Sequence, residues 1–372
     1  MRRLMLVAVV ALVLAGAARA AVPNPEARAF FVVNASNGEV LASRNAHAKL
    51  PIASITKLMT VLVALDHLKP SEVVTVPALA AHVGESRIPL RGGQHVLVHD
   101  LLAGALIQSA NNAAAALAWA ASAGDVPRFV EWMNARARKL GLRDTHFVRP
   151  DGLDAPGHVS SARDVAVLAR VAMHSRVVRD LVRRRSDTIE GGSFVVRTWN
   201  DLLGIFPGLI GVKTGHTDDA GWCEVAAARR SGFTIYTVIL GSPTRSQRNL
   251  DLHQLLAWGV SQYRTLRLVV PQPYAWAAAP YGRRPVALVA RKPLVRVVRV
   301  GRPVVERIVA PTAVALPVVR GTQLGRIEIW AGGELLGTRP LLAGRTVERP
   351  GLGGRLRWYS TRTVDNLVDM FS

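Results

Sequence analysis

Two short apolar runs flank Asn37-Gly38 within residues 27–41 (ARAFFVVNASNGEVL), which predicts a β-hairpin closed by a two-residue type I′ turn at that dipeptide. Residues 54–68 (SITKLMTVLVALDHL) are apolar almost all round, the pattern of a helix buried in the middle of a domain. Further helices are predicted over residues 101–108, 112–123 and 126–140, the first two separated by the polar stretch Ser109-Ala110-Asn111. From Gly208 the texture turns to strands: GLIGVKTG, GWCEVAAA and FTIYTVILG, the last two joined through Arg229-Arg230-Ser231-Gly232. Leu252, Leu255, Leu256 and Val260 then recur at helical spacing within residues 249–266. Strands at both ends of this region, with helices between and after them, make an α+β domain.

Pro271, Pro273 and Pro280 mark a linker or domain boundary, and beyond them VALVA, LVRVVRV, RIVA, VALPVV and GRIEIWAGGELLGTRPLL are all strand-like. A small all-β sandwich is therefore predicted as a second domain. In the tail, Val364, Leu367, Val368 and Phe371 fall at i, i+3, i+4 and i+7, with Trp358, Tyr359, Arg355, Arg357 and Arg362 close by. That pattern suits a helix lying on a membrane surface or one docked on its own domain. The expected layout is a signal peptide over residues 1–20, the α+β domain over 21–267, a β-sandwich over 268–350 and an amphipathic helix over 351–372.

Composition agrees with two folded domains: 372 residues that are 49% hydrophobic and 20% charged exclude a disordered chain. The signal peptide rests on Arg2-Arg3, the apolar residues 4–16 and Ala18-Arg19-Ala20, which together have the order of an export leader with an A-x-A cleavage site. No later segment offers about 20 uninterrupted apolar residues, so no permanent membrane span is expected. Cys223 is the single cysteine, which excludes an intramolecular disulfide; its apolar surroundings suggest a packing residue. The net charge of +21 suits anionic polymers or lipid headgroups, or reflects an arginine-rich composition alone; export argues against nucleic acid.

The candidate chemistry lies in three short motifs. Ser54 and Lys57 stand at i and i+3, so on a helix the lysine amine reaches the serine hydroxyl. Such a lysine removes a proton only if burial or a nearby cation lowers its pKa; the apolar helix offers the first and Lys213 the second. Taken alone, the motif is equally an N-capping serine with an incidental lysine. Ser109 and Asn111, two apart in a loop, can point into one cleft or merely cap helices. Lys213-Thr214-Gly215, at the end of a strand, offers a cation, a hydroxyl and a glycine that leaves room for a substrate along the strand edge.

Together, and in this order, S-x-x-K, S-x-N and K-T-G resemble the signature of penicillin-binding proteins and serine β-lactamases. The neighbourhoods PIASITKLMT, LIQSANNAAAALA, DGLDAPGHVSSARD, GVKTGHTDDAGW and GELLGTRPLL extend the likeness from about Ala27 to the C-terminus. The chain is similar to the low-molecular-mass penicillin-binding proteins that act as D-alanyl-D-alanine carboxypeptidases. The resemblance implies a transpeptidase-like catalytic domain, a small β-domain and a membrane-surface helix, on the outer face of the cytoplasmic membrane or in the periplasm. It implies that Ser54 attacks the carbonyl between the two terminal D-alanines of a peptidoglycan stem pentapeptide, with Lys57 as general base and Ser109 as proton relay. Asn111 would hold a substrate amide, and Thr214, with Arg248 as cationic partner, the terminal carboxylate. The backbone N–H groups of Ser54 and His216 would form the oxyanion hole. Lys213 and Gly215 complete the substrate side, β-lactams would acylate Ser54, and no metal or organic cofactor is implied.

Three rivals share parts of this pattern. A class A β-lactamase would need a deacylating glutamate downstream of Asn111, and residues 139–156 contain none. A D,D-endopeptidase that cuts cross-links shares the catalytic domain. A catalytically silent peptidoglycan-binding protein would keep the fold, yet all the polar site residues are present.

Overall fold

The computed structural model of the chain describes residues 5–12 and 21–371. Contacts divide it into two compact units: Ala20–Ser261, and Gln262–Ser372 with Met1–Arg19.

The larger unit is built on a five-stranded antiparallel sheet in the order Glu39–Arg44, Ala29–Asn34, Phe233–Ser242, Gly221–Arg230, Leu209–Thr217. Both ends of the unit's sequence thus meet in the sheet, Val32 opposite Thr237. Successive strand residues point to opposite faces. Ile235 meets Gly259 of the helix Arg245–Ser261, while Tyr236 lines a cavity with Arg170 of the helix Ala162–Ala172, so helices cover both faces. Gly259 lets that helix pack close, because a Cβ there would crowd the Ile235 and Val32 methyl groups at 3.1 and 3.2 Å.

Between the strands lie the helices. Lys57–His67 follows a short 3₁₀ turn, Ala53–Thr56, and Leu58, Met59, Val61, Leu62 and Val63 are all buried in the core around it. Each such side chain contributes about 1.5–3 kcal/mol by leaving water. Val98–Ala103 runs on into a π-helical turn, Gly104–Gln108, and Asn111–Ala121 follows at once. Val126–Lys139 starts where Asp125 accepts from the Arg128 N–H, and Ala162–Ala172 where Ser161 accepts from that of Asp164.

The expected hairpin forms, but its connection is residues 35–38 rather than a two-residue turn. The register places Asn34 opposite Glu39, and the Asn34 carbonyl accepts from the Gly38 N–H at 2.8 Å. The other hairpin is tighter than expected: Phe233 pairs with Arg230, leaving Ser231 and Gly232, both at positive φ, as the turn.

In the smaller unit a six-stranded antiparallel sheet and a two-stranded ribbon surround one apolar core, the all-β arrangement expected. The sheet order is Met5–Leu12, Val304–Pro311, Gln323–Ala331, Glu334–Ala343, Val286–Ala290, Gln272–Ala277. Two expectations fail here. Tyr263–Val269 does not prolong the preceding helix but pairs with Leu294–Arg299 as the ribbon. The linker reading of the proline cluster gives way to a strand, Gln272–Ala277, while the division between the two units falls shortly before it, after Ser261. Pro273 is tolerated because this strand is at the sheet edge and the register shifts by a bulge between Pro273 and Ala275.

Of the expected leader, Met5–Leu12 lies along Val304–Pro311, and the A-x-A site falls outside the described residues. The tail forms the helix Leu352–Phe371, and the Trp358 ring packs edge-on against Tyr281 at 5.5 Å. Among the described residues no helix is long and apolar enough to cross a membrane.

Candidate active site

The three motifs converge. Ser54, Ser109, Asn111, Thr214, Gly215, His216 and Arg248 line one cavity of about 200 Å³, and Lys57 and Lys213 lie buried beside it.

Ser54 sits in the 3₁₀ turn at the head of the buried helix. The turn is held by two glycines. Ala53 has a left-handed backbone, φ 47°, and a Cβ on Gly152 would lie 2.2 Å from the Ala53 carbonyl oxygen. A Cβ on Gly215 would meet the Ile52 carbonyl at 2.9 Å and the Ser54 nitrogen at 3.0 Å. The K-T-G glycine therefore makes room for the turn that carries Ser54 and also lines the cavity.

Lys57 Nζ lies 2.6 Å from Ser54 Oγ, 2.7 Å from Asn111 Oδ1 and 2.6 Å from the Asp151 carbonyl. A neutral amine has two N–H donors and one lone pair. Donation to Asn111 and to Asp151 leaves the lone pair for the Ser54 hydroxyl proton. Burial pushes the Lys57 amine down to about 7, against the opposing pull of the Asp151 and Glu85 carboxylates. Arg149 adds to the lowering, and Lys57 and Lys213 disfavour each other's charge, as the sequence suggested. Lys213 is itself held well below the ordinary lysine value, first by burial and then by the charge of Lys57.

Ser109 follows the π-helical turn at φ 65°, a conformation that aims its hydroxyl at Lys213, whose Nζ donates to it at 2.8 Å. Lys213 also donates to the Thr214 carbonyl at 2.8 Å. Asn111 Nδ2 donates to the Gly84 carbonyl at 3.0 Å. The strand carrying Lys213, Thr214, Gly215 and His216 is at an edge of its sheet, so alternate backbone groups point away from the ladder toward a possible peptide strand. The exposed His216 ring packs against Trp222, 4.1 Å between centroids.

Arg248 is 1% exposed, yet it borders the cavity. Its Nη2 donates to Asp201 Oδ2 at 3.0 Å and to Asn249 Oδ1 at 2.6 Å, and the guanidinium lies over the Trp222 ring.

Residues 16–244 match the sequence family described as D-alanyl-D-alanine carboxypeptidase, and residues 280–349 that described as penicillin-binding protein 5, C-terminal domain. The chain belongs to the D-alanyl-D-alanine carboxypeptidase family. It is a serine-type enzyme of that family, with the expected catalytic and C-terminal β-domains. The carboxypeptidase DacF of Bacillus subtilis is 30% identical over 343 residues, covering 88% of this chain and 87% of the relative. Penicillin binding protein 5 from Haemophilus influenzae superposes with a TM-score of 0.65 at 26% identity, covering 89% of this chain and 100% of that one. Penicillin-binding protein D2 from Listeria monocytogenes, in its ampicillin-bound form, gives 0.58 at 32% identity over 64% of this chain and 100% of its own.

Sequence reasoning missed several groups of this carboxypeptidase site. Trp199 and Trp222 line the cavity, Asp151 supplies a carbonyl to Lys57, and Asp201 anchors Arg248. Nothing in the spacing of DGLDAPGHVSSARD says that a main-chain oxygen is the part used. Cys223 is buried, and burial pushes its thiol up to about 11, which fits packing rather than nucleophilic chemistry.

Proposed function

We propose that Ser54 is the nucleophile of this D-alanyl-D-alanine carboxypeptidase and that peptidoglycan stem pentapeptides are its substrates. The observation that carries the assignment is the buried Lys57 amine, lowered to about 7 and 2.6 Å from Ser54 Oγ. Lys57 takes the hydroxyl proton as Ser54 attacks the carbonyl between the terminal D-alanines. The backbone N–H groups of Ser54 and His216 receive the oxyanion. Ser109, bonded to Lys213, returns a proton to the departing D-alanine, and water then releases the acyl-enzyme. Asn111 Nδ2 has a second hydrogen for a substrate amide, and Thr214 with Arg248 receives the terminal carboxylate. The same serine accepts β-lactams, whose carboxylate and strained amide resemble those of the substrate.

D-alanine release from a stem-pentapeptide mimic, with Ser54→Ala alongside, tests this. Release by the parent and none by the variant is the expected result. Penicillin labelling of Ser54 without release would instead favour cross-linked substrates and the endopeptidase reading.

The leader pattern in residues 1–20 and the aromatic and basic residues of the terminal helix support export and attachment to an anionic membrane surface. Deleting residues 356–372 should release the protein from anionic vesicles with D-alanine release retained; continued binding would sink the anchor assignment.

A further inference from the structure

Glu224 takes no part in the chemistry above, yet it lies directly behind the site. It stands opposite Thr214 in the strand ladder and is 0% exposed, within an otherwise apolar run. Among the described residues neither of its carboxyl oxygens receives a hydrogen bond. Its contact is with the Arg248 guanidinium, Nε lying 3.2 Å from Oε2 without hydrogen-bond geometry. A buried carboxylate so poorly solvated is costly to ionise.

We propose that Glu224 is a positioning residue whose protonation sets how much positive charge the Arg248 cluster presents to the substrate's terminal carboxylate. The proposal rests on the carboxylate site assigned above to Thr214 and Arg248.

The charged groups around Glu224 come from three directions. Arg245 and Arg248 face it from the helix Arg245–Ser261, Asp201 from the segment before the K-T-G strand, and Lys213, with Lys57 beyond, from that strand's side. On the remaining side, its ladder partner in Phe233–Ser242 is Ile239, which carries no charge. Asp201 is bound by both arginines, Arg245 Nε reaching it at 2.8 Å and Arg248 Nη2 at 3.0 Å. The two arginines and Asp201 sum to one positive charge when Glu224 is protonated and to zero when it is ionised. Burial pushes the Glu224 carboxyl up to about 7, against the pull of Arg248, so the change falls within the working pH range. A carboxylate ligand binds the protonated cluster more tightly and, by linkage, favours that protonation.

Steady-state D-alanine release from a stem-pentapeptide mimic between pH 5.5 and 8.5 separates KM from kcat. The parent KM should rise about tenfold on going from acid to alkaline pH, a typical size for such coupling. Glu224→Gln should hold KM near its acid value throughout, and the inhibition constant of the mimic's C-terminal amide should stay flat in the parent. Asp201→Asn should move the midpoint of the KM rise to lower pH, since Asp201 raises Glu224; this readout serves if the glutamine variant does not fold. A flat parent KM, a rise retained in Glu224→Gln, a rise shared by the amide, or an unmoved midpoint would overturn the proposal. Failure of the underlying site assignment shows differently, as no D-alanine release at any pH, and it takes this proposal with it.

Discussion

The state of Lys57 sets a pH dependence that can be worked out in advance. An ordinary lysine, at 10.5, is neutral in about one molecule in 3,000 at pH 7. Lys57, lowered to about 7, is neutral in about half, so the protein gains roughly a thousandfold in available base. Acylation by a fluorescent penicillin reads the first chemical step directly. Its second-order rate constant, followed from pH 5 to 10 at fixed ionic strength, should rise tenfold per unit up to about pH 7 and level off above about pH 8. At pH 5 it should be about a hundredth of the plateau. Lys57→Arg keeps a cation but has no lone pair at any of these values, and it should fall below a thousandth of the parent. A parent rate that keeps climbing tenfold per unit through pH 9 would refute the argument, because it would mean that burial does not hold the amine neutral.

Two further outcomes follow from other parts of the fold. Gly215→Ala drives a methyl against the Ile52 carbonyl and the Ser54 nitrogen, so it should cost about 1–3 kcal/mol of stability and reduce acylation by about a hundredfold. Denaturant melts and penicillin labelling check the two effects, and parent-like labelling would show that the turn has slack. His158, whose Nδ1 accepts from the Val148 N–H while Nε2 lies 2.8 Å from Thr56 Oγ1, is held neutral by burial and lowered from 6.5 to about 4. Below 6.5 the unfolded chain takes up a proton that the native state refuses down to 4, so this stabilisation, present above 6.5, is lost as pH falls through that window. The loss amounts to about 3 kcal/mol, and His158→Gln should flatten that part of the stability profile.

The site was legible wherever chemistry coincides with local spacing. Ser54 and Lys57 are one helical turn apart, and the apolar residues around them announce the burial that lowers the amine. Ser109 and Lys213 are 104 positions apart, and only the motif resemblance joined them before the fold brought their side chains to 2.8 Å. Glu224 was hidden by its neighbours, since one acid in GWCEVAAA reads as a surface position of a strand. Gly215 was legible as a close approach beside the cavity, but its second neighbour, the turn that carries Ser54, was not, because spacing along one chain cannot say which turn a strand edge faces. The first strand of the β-domain's sheet edge, Gln272–Ala277, was hidden by prolines that an edge strand with a bulge accommodates.

The sheet of the larger unit joins Ala29–Asn34 to Phe233–Ser242, and that pairing has a consequence for the order of assembly during synthesis. A ribosome delivers Ser54 and Lys57 long before the strands that complete their surroundings. Pairing across so many residues is an intrinsically late event in folding. An unfinished chain ending before Phe233 therefore carries Ser54 and Lys57 without a closed core to keep the amine dry. Catalytic competence should then arise in one step near the end of the domain's production, leaving partial chains inert toward both cell-wall peptides and penicillin.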